Sequence, residues 1–212
     1  MKIKLVLISF VLLIAAISIS SCKHDSIPPI IDESTIPSGI CFQDEILPMV
    51  QSNCAKSGCH TAGDEDPDLS NYSSIVKLVK TGDPLNSRLY KYAIGSEMPP
   101  APNTPLNLQQ VTLLYGWIKQ GALNNTCGCD TNIYTFSGAV KPIIQSYCIG
   151  CHNTGSPNNE LVTYQNIKDK ADKILKNITG AGDMMPPAPA APLSGCKITQ
   201  ISKWINAGKL NN

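Results

Sequence analysis

Cys148-Ile149-Gly150-Cys151-His152 places two thiols and an imidazole within five residues, in a chain of 212 residues that has nine cysteines and three histidines. A looser version, Cys54-Ala55-Lys56-Ser57-Gly58-Cys59-His60, stands earlier in the chain, with two more residues between its cysteines. The two stretches belong to a duplication. Met98-Pro99-Pro100-Ala101-Pro102-Asn103-Thr104-Pro105-Leu106 matches the stretch from Met185 to Leu193 at seven of nine positions, with a constant offset of 87. At that offset Trp117 and Ile118 match Trp204 and Ile205, Gly121 matches Gly208, and Leu123-Asn124-Asn125 matches Leu210-Asn211-Asn212. Upstream, at an offset of 94, Phe42, Pro48, Gln51, Ser52 and Cys54 match Phe136, Pro142, Gln145, Ser146 and Cys148. A repeat of this length describes a chain built from two copies of a module of about 85 residues.

C-x-x-C-H is the attachment signature of c-type haem: two cysteines bond the vinyl groups of one porphyrin, and the adjacent histidine meets the iron. With the cysteines and histidines of this chain, such a run is expected about 0.005 times by chance. The wider spacing from Cys54 to Cys59 is a weaker signal alone, and its place in the repeat strengthens it. A structural zinc would need four nitrogen or sulfur ligands where each cluster offers three. A disulfide within each cluster suits an exported protein, but leaves His60 and His152 without a role.

Export is written at the start of the chain. Lys2 and Lys4 precede an apolar run from Leu5 to Ile19 that ends at Ile19-Ser20-Ser21-Cys22, the pattern of a signal peptide too short for a membrane span. The ending resembles the bacterial lipoprotein box, which makes Cys22 a lipidated N-terminus after removal of residues 1–21. Residues 22–40, with His24, Pro28, Pro29 and Pro37, read as a flexible tether. The whole chain has 17 Lys and Arg against 16 Asp and Glu; loss of Lys2 and Lys4 leaves 15 against 16, a formal balance of −1. No basic excess for binding nucleic acid exists.

Hydrophobic spacing argues for helices throughout. Phe42 to Asn53 carries apolar residues at 42, 46, 47, 49 and 50, and its copy runs from 136 to 147; Pro48 and Pro142 mark the first true turn of each. Asn107 caps a stripe of Val111, Leu114, Tyr115 and Ile118 that stops at Gly121, and Ile198, Ile201, Ile205 and Gly208 repeat it. Tyr72 to Lys80, Ser87 to Ala93 and Tyr164 to Ile178 read as further helices, and no segment alternates as a strand would. Trp117 and Trp204 are expected as helix-packing residues rather than electron conduits. Lys168, Lys170, Lys173 and Lys176 are expected on a solvated helix face rather than a docking surface.

On these residues each half resembles a class I cytochrome c module, and the whole resembles a tandem dihaem lipoprotein of the bacterial envelope. The resemblance covers nearly all of 41–212. It implies an all-α fold of two small helical domains, 41–126 and 127–212, each with a helix leading into the attachment motif and a C-terminal helix crossing it. It implies covalent haem c on Cys54 and Cys59 and on Cys148 and Cys151, with iron held by His60 and Met98 in one copy and by His152 and Met185 in the other. Prolines after Met98 and Met185 stiffen the loop that would carry a weak thioether ligand; Met184 is a competitor without a counterpart in the first copy. Small units of this size commonly need a bound group or staples to be stable. The remaining Cys41, Cys127, Cys129 and Cys196 allow three disulfide connectivities. Bringing the first and last helices of a module together, as the resemblance implies, favours Cys41 with Cys127 and leaves Cys129 with Cys196.

Histidine and methionine on both irons would leave no open position for a substrate. The expectation is therefore a single-electron carrier, not an enzyme, anchored by lipid to a membrane of the bacterial envelope and facing periplasm or cell surface. Its partners would be envelope redox proteins, with no nucleic acid and no small-molecule substrate. The rival reading is a dihaem redox enzyme of the peroxidase kind with one iron able to open. A scaffold lipoprotein leaves both attachment motifs unexplained.

Overall fold

Pro48 and Pro142 each fall inside a stretch with helical spacing of apolar residues, and the backbone yields to them in the same way. A proline cannot donate to the carbonyl four residues back, and its ring crowds that carbonyl. In the computed structural model, which describes residues 29–212 apart from 57, 96, 102, 158, 188 and 189, the five residues Phe42–Ile46 and Phe136–Val140 form wide π turns before the α-helices begin. Helix α1, Leu47–Asn53, and its copy α5, Lys141–Tyr147, have the proline in the first turn, where a missing N–H costs nothing. Both helices stop at the first cysteine of a thiol motif, Cys54 and Cys148.

Between motif and methionine the copies diverge. The first uses Tyr72–Ile75 (α2), continued by a 3-10 turn at Val76–Leu78, and Arg88–Ile94 (α3), with a 3-10 turn at Pro84–Asn86 between them. The second uses one unbroken helix, Tyr164–Ile178 (α6), started by Thr163, whose hydroxyl accepts from the Asn166 N–H. The final helices are Leu108–Lys119 (α4) and Gly195–Asn206 (α7). Asn107 and Gln110 close a reciprocal capping box on α4, and Ser194 caps α7, each satisfying N–H groups that a helix start leaves open. Among the described residues no strand is present, so the fold is all-α.

After α4 and α7 the chain turns through two left-handed residues, Gly121 and Ala122 or Gly208 and Lys209. The tail then folds back under a tryptophan: Trp117 Nε1 donates to the Leu123 carbonyl at 3.0 Å, and Trp204 Nε1 to Leu210 at 2.8 Å. Both tryptophans are buried, as packing residues with a satisfied ring N–H. Phe42 packs edge-on to Tyr72 with centroids 4.9 Å apart, and Phe136 does the same to Tyr164 at 5.0 Å. The two tyrosine hydroxyls donate to matching carbonyls, Ala122 at 2.9 Å and Lys209 at 2.7 Å. The duplicated sequence thus repeats its contacts as well as its residues.

Of the segment expected as a tether, residues 31–40 lie against the first copy. Ile36 and Ile40 pack on Gly116 of α4, where an added Cβ would stand 2.5 Å from Ile36 Cγ2 and 2.6 Å from Ile40 Cδ1. Gln120 ties the strap down, donating from Nε2 to the Pro37 carbonyl at 2.7 Å and accepting the Ile40 N–H at 3.1 Å. Glu33 pairs with Lys119 and accepts from the Tyr115 hydroxyl. Cys22 and His24, and the leader before them, lie outside the described residues. No helix among the described residues is long and apolar enough to cross a membrane.

Cys41 is bonded to Cys127 and Cys129 to Cys196, with Cα separations of 5.6 and 6.2 Å. Only Gly128 separates the bridges: the first ties Cys41 to the residue just past the end of the first half, and the second lies wholly within the second half. The halves meet chiefly through α1 and α5. Asp44 adds an ion pair across the boundary, its Oδ1 2.6 Å from Lys197 Nζ, while its Oδ2 accepts the Cys127 N–H at 2.7 Å.

Candidate functional site: two clefts with thiol, imidazole and thioether donors

An apolar cleft lies in each half, lined by the thiol motif and the methionine of its own copy. In the first, Cys54, Cys59, His60 and Met98 share a cavity of about 280 Å³ with Leu69 and Leu89. In the second, Cys148, Cys151, His152 and Met185 share one of about 510 Å³ with Ile174 and Leu193. The second lies within the roughly 300–1,000 Å³ usual for small-molecule and cofactor sites, and the first is at its lower edge. Pro99 and Pro100 line the first cleft beside Met98, and Pro186 and Pro187 line the second beside Met185. Met184 is 48% exposed and is absent from the lining.

The histidines are oriented alike. His60 Nδ1 lies 3.0 Å from the Pro67 carbonyl, and His152 Nδ1 lies 2.8 Å from the Asn159 carbonyl, in both cases seven residues downstream. A carbonyl can only accept, so Nδ1 carries a proton, and in the neutral imidazole Nε2 is then the nitrogen with a lone pair to offer a ligand bond. Two residues further on, the Leu69 N–H donates to the His60 carbonyl at 2.9 Å and the Leu161 N–H to the His152 carbonyl at 2.8 Å. The loop is therefore pinned to the histidine at both its ring and its backbone. A spacing of nine residues from each histidine to a leucine was a sequence signal for this loop, legible once the copies are aligned.

The first cysteine of each motif lines its cleft and is half-buried. Burial pushes the Cys54 thiol up to about 11 and the Cys148 thiol up to about 12, so both are neutral, weakly polar groups near pH 7. Of the second cysteines, Cys59 is likewise half-buried and Cys151 is exposed. Charge at the cleft walls comes from Lys56, Arg88 and Asp66 in the first and from Lys56, Lys170, Lys173 and Asp183 in the second. Two lysines of the run on α6 thus line the cleft wall, while Lys168 rests over the Tyr164 ring, 5.6 Å from its centroid. Lys56, within the two-residue insertion of the first motif, is the site residue that sequence reasoning passed over.

A third cluster has a different meaning. Donor atoms of Cys41, Glu45 and Cys127 lie within 4.8 Å of one another, but the two sulfurs are bonded together and Glu45 Oε2 accepts the Cys41 N–H at 2.8 Å. A disulfide with a capped backbone amide accounts for all three. Comparison with protein families, with curated proteins and with solved structures finds no match for this chain.

Proposed function

We propose that this chain is a dihaem c-type cytochrome that carries single electrons in the bacterial cell envelope, held to a membrane by lipid on Cys22. The observation that carries the reading is the grouping, twice over, of two thiols, an imidazole with its Nε2 free and a thioether on one apolar cleft. This donor set fits a covalently attached haem: the thiols would bond the porphyrin, the imidazole nitrogen and thioether sulfur would hold the iron, and aliphatic walls would flank the ring. Bound there, the haem would supply a reversible one-electron couple.

The chain's own residues do the rest. Pro67 and Asn159 carbonyls fix the tautomer and ring orientation of His60 and His152 and raise their basicity as ligands. Met98 and Met185, each followed by two prolines, would supply the thioether ligands, which favour the reduced state of a bound iron. Leu69, Leu89, Ile174 and Leu193 keep water from the ring faces. With a histidine and a methionine of the chain as ligands in each cleft, a bound haem would serve transfer rather than turnover, with other redox proteins of the envelope as partners.

Mass spectrometry of the mature protein, made together with a haem-attachment system, tests the reading. Two covalent haems are expected, and a reduced protein whose spectrum does not change on adding carbon monoxide. A protein without covalent haem would overturn the reading. Carbon monoxide bound at one reduced iron would instead support the dihaem enzyme with an open coordination position.

A further inference from the structure

We infer that the two extra residues of the first motif couple the two sites, with Lys56 as a cation common to both clefts; this rests on the dihaem reading above. In the second copy only Ile149 and Gly150 lie between the cysteines, and the turn closes on itself, with the Cys151 and His152 N–H groups both donating to the Cys148 carbonyl. In the first copy the longer segment instead reaches into the other half. Ala55 and Lys56 both line the second cleft, and Ala55 is buried. Lys56 also lines the first cleft, and its Nζ donates to the Gly150 carbonyl, between the cysteines of the second motif, at 3.2 Å.

The contact is close as well as charged. A Cβ on Gly150 would stand 2.4 Å from the Ser52 carbonyl oxygen and 2.6 Å from its carbon, so the end of α1 presses on the second motif where only glycine fits. Ser52 Oγ donates to the Ser146 carbonyl at 3.3 Å, and the Cys151 thiol faces the Ser52 carbonyl at 3.8 Å. The two attachment motifs are therefore back to back, and Lys56, the lysine that lines both clefts among the described residues, belongs to the insertion. A positive charge disfavours the more positive oxidised iron, and one that lines both low-dielectric clefts acts on both centres. Lys56 is thus a positioning and tuning residue, poised to raise the potentials of two adjacent sites together.

Spectroelectrochemical titration of the haem-loaded mature protein tests this. Lys56→Gln should keep two covalent haems and shift both midpoints downward, whereas the exposed Lys141→Gln changes the net charge equally and should shift neither. Lys56→Arg should restore the wild-type midpoints. Deleting Lys56 and Ser57, which leaves a Cys-Ala-Gly-Cys-His motif, should reproduce the downward shift at both sites and guards against a local effect of glutamine. Two haems with neither midpoint moved, or with only the first site's moved, would overturn the coupling and leave the function standing. Absence of covalent haem in the unmodified protein would instead remove the function on which it rests.

Discussion

Gly150 and Gly195 lie in the same half, yet a methyl group added at each meets opposite surroundings. At Gly150 it would strike the Ser52 backbone at 2.4 Å, and at Gly195 it would find nothing within 4 Å. Backbone cannot rotate aside as a side chain does, so Gly150→Ala should lose roughly 1–3 kcal/mol. Gly195→Ala should be neutral or gain about 0.4–1 kcal/mol from the reduced freedom of the unfolded chain. Denaturant midpoints compared at constant slope read both changes; equal midpoints for the two variants would contradict the close approach of α1 to the second motif. Glu45 gives a test in pH. Burial pushes its carboxyl above the ordinary 4.5, only partly opposed by the hydrogen bond from the Cys41 N–H. A raised folded value means that the stabilising contribution is complete below 4.5 and is lost as pH rises through the folded value. Glu45→Gln keeps an acceptor but cannot ionise, so it should gain stability relative to wild type as pH rises from below 4.5 toward neutral. A stability difference that stays flat across that range would show that Glu45 ionises without penalty.

At the scale of elements, α4 and α7 occupy repeat-equivalent positions but face different neighbours because of one residue. Gly116 of α4 lets Ile36 and Ile40 lie on the helix backbone. Its counterpart in α7 is Lys203, which donates from Nζ to the Thr131 carbonyl at 3.0 Å and rests over the Tyr134 ring. Gly116→Lys should therefore expel the strap at 31–40, although lysine suits a helix interior better than glycine by about 1 kcal/mol. Limited proteolysis should then cut between residues 31 and 40 well before wild type, whereas an unchanged pattern would mean that the strap is held without Gly116. The methionine loops carry the matching test of ligation. Met98→Ala and Met185→Ala should each turn one haem of the loaded protein high-spin and lower its potential, since thioether favours reduced iron. A change on Met184→Ala but not on Met185→Ala would reassign the ligand.

For the whole molecule, the bridges carry much of the stability that two modest cores leave wanting. Cys41–Cys127 spans 86 residues and Cys129–Cys196 spans 67. On the entropic account, each loop of this length contributes roughly 4 kcal/mol. Replacing Cys129 and Cys196 by serine should lower the thermal midpoint sharply while Cys41 and Cys127 remain bonded, which non-reducing peptide mapping reads directly. Recovery of a peptide joining Cys41 to Cys196 would mean that the bridges tie the halves together instead. Across the boundary the half-buried Asp44–Lys197 pair is reinforced by the Cys127 N–H, so the end of the first bridge and the start of α7 are set by one carboxylate.

The helical periodicity, the proline-marked starts of α1 and α5 and the Asn107 cap were all legible in the sequence, because each depends on residues within a few positions of one another, and the repeat was legible because it is a match of residue identities that needs no contact. So were the donor types of the two clefts, since spacing alone brings two thiols and an imidazole together and the repeat pairs them with a methionine. The tertiary structure decided what depends on long-range approach. It brought Met185 rather than Met184 to the cleft, chose among three disulfide connectivities, laid the strap on Gly116, and turned the Pro67 and Asn159 carbonyls toward the histidines. It also gave the insertion at Ala55 and Lys56 its meaning, which in the sequence is only a widened spacing. The reason is geometric: the residues flanking Lys56 say nothing of the Gly150 carbonyl that its ammonium meets, because that carbonyl comes within reach only when α1 packs against α5.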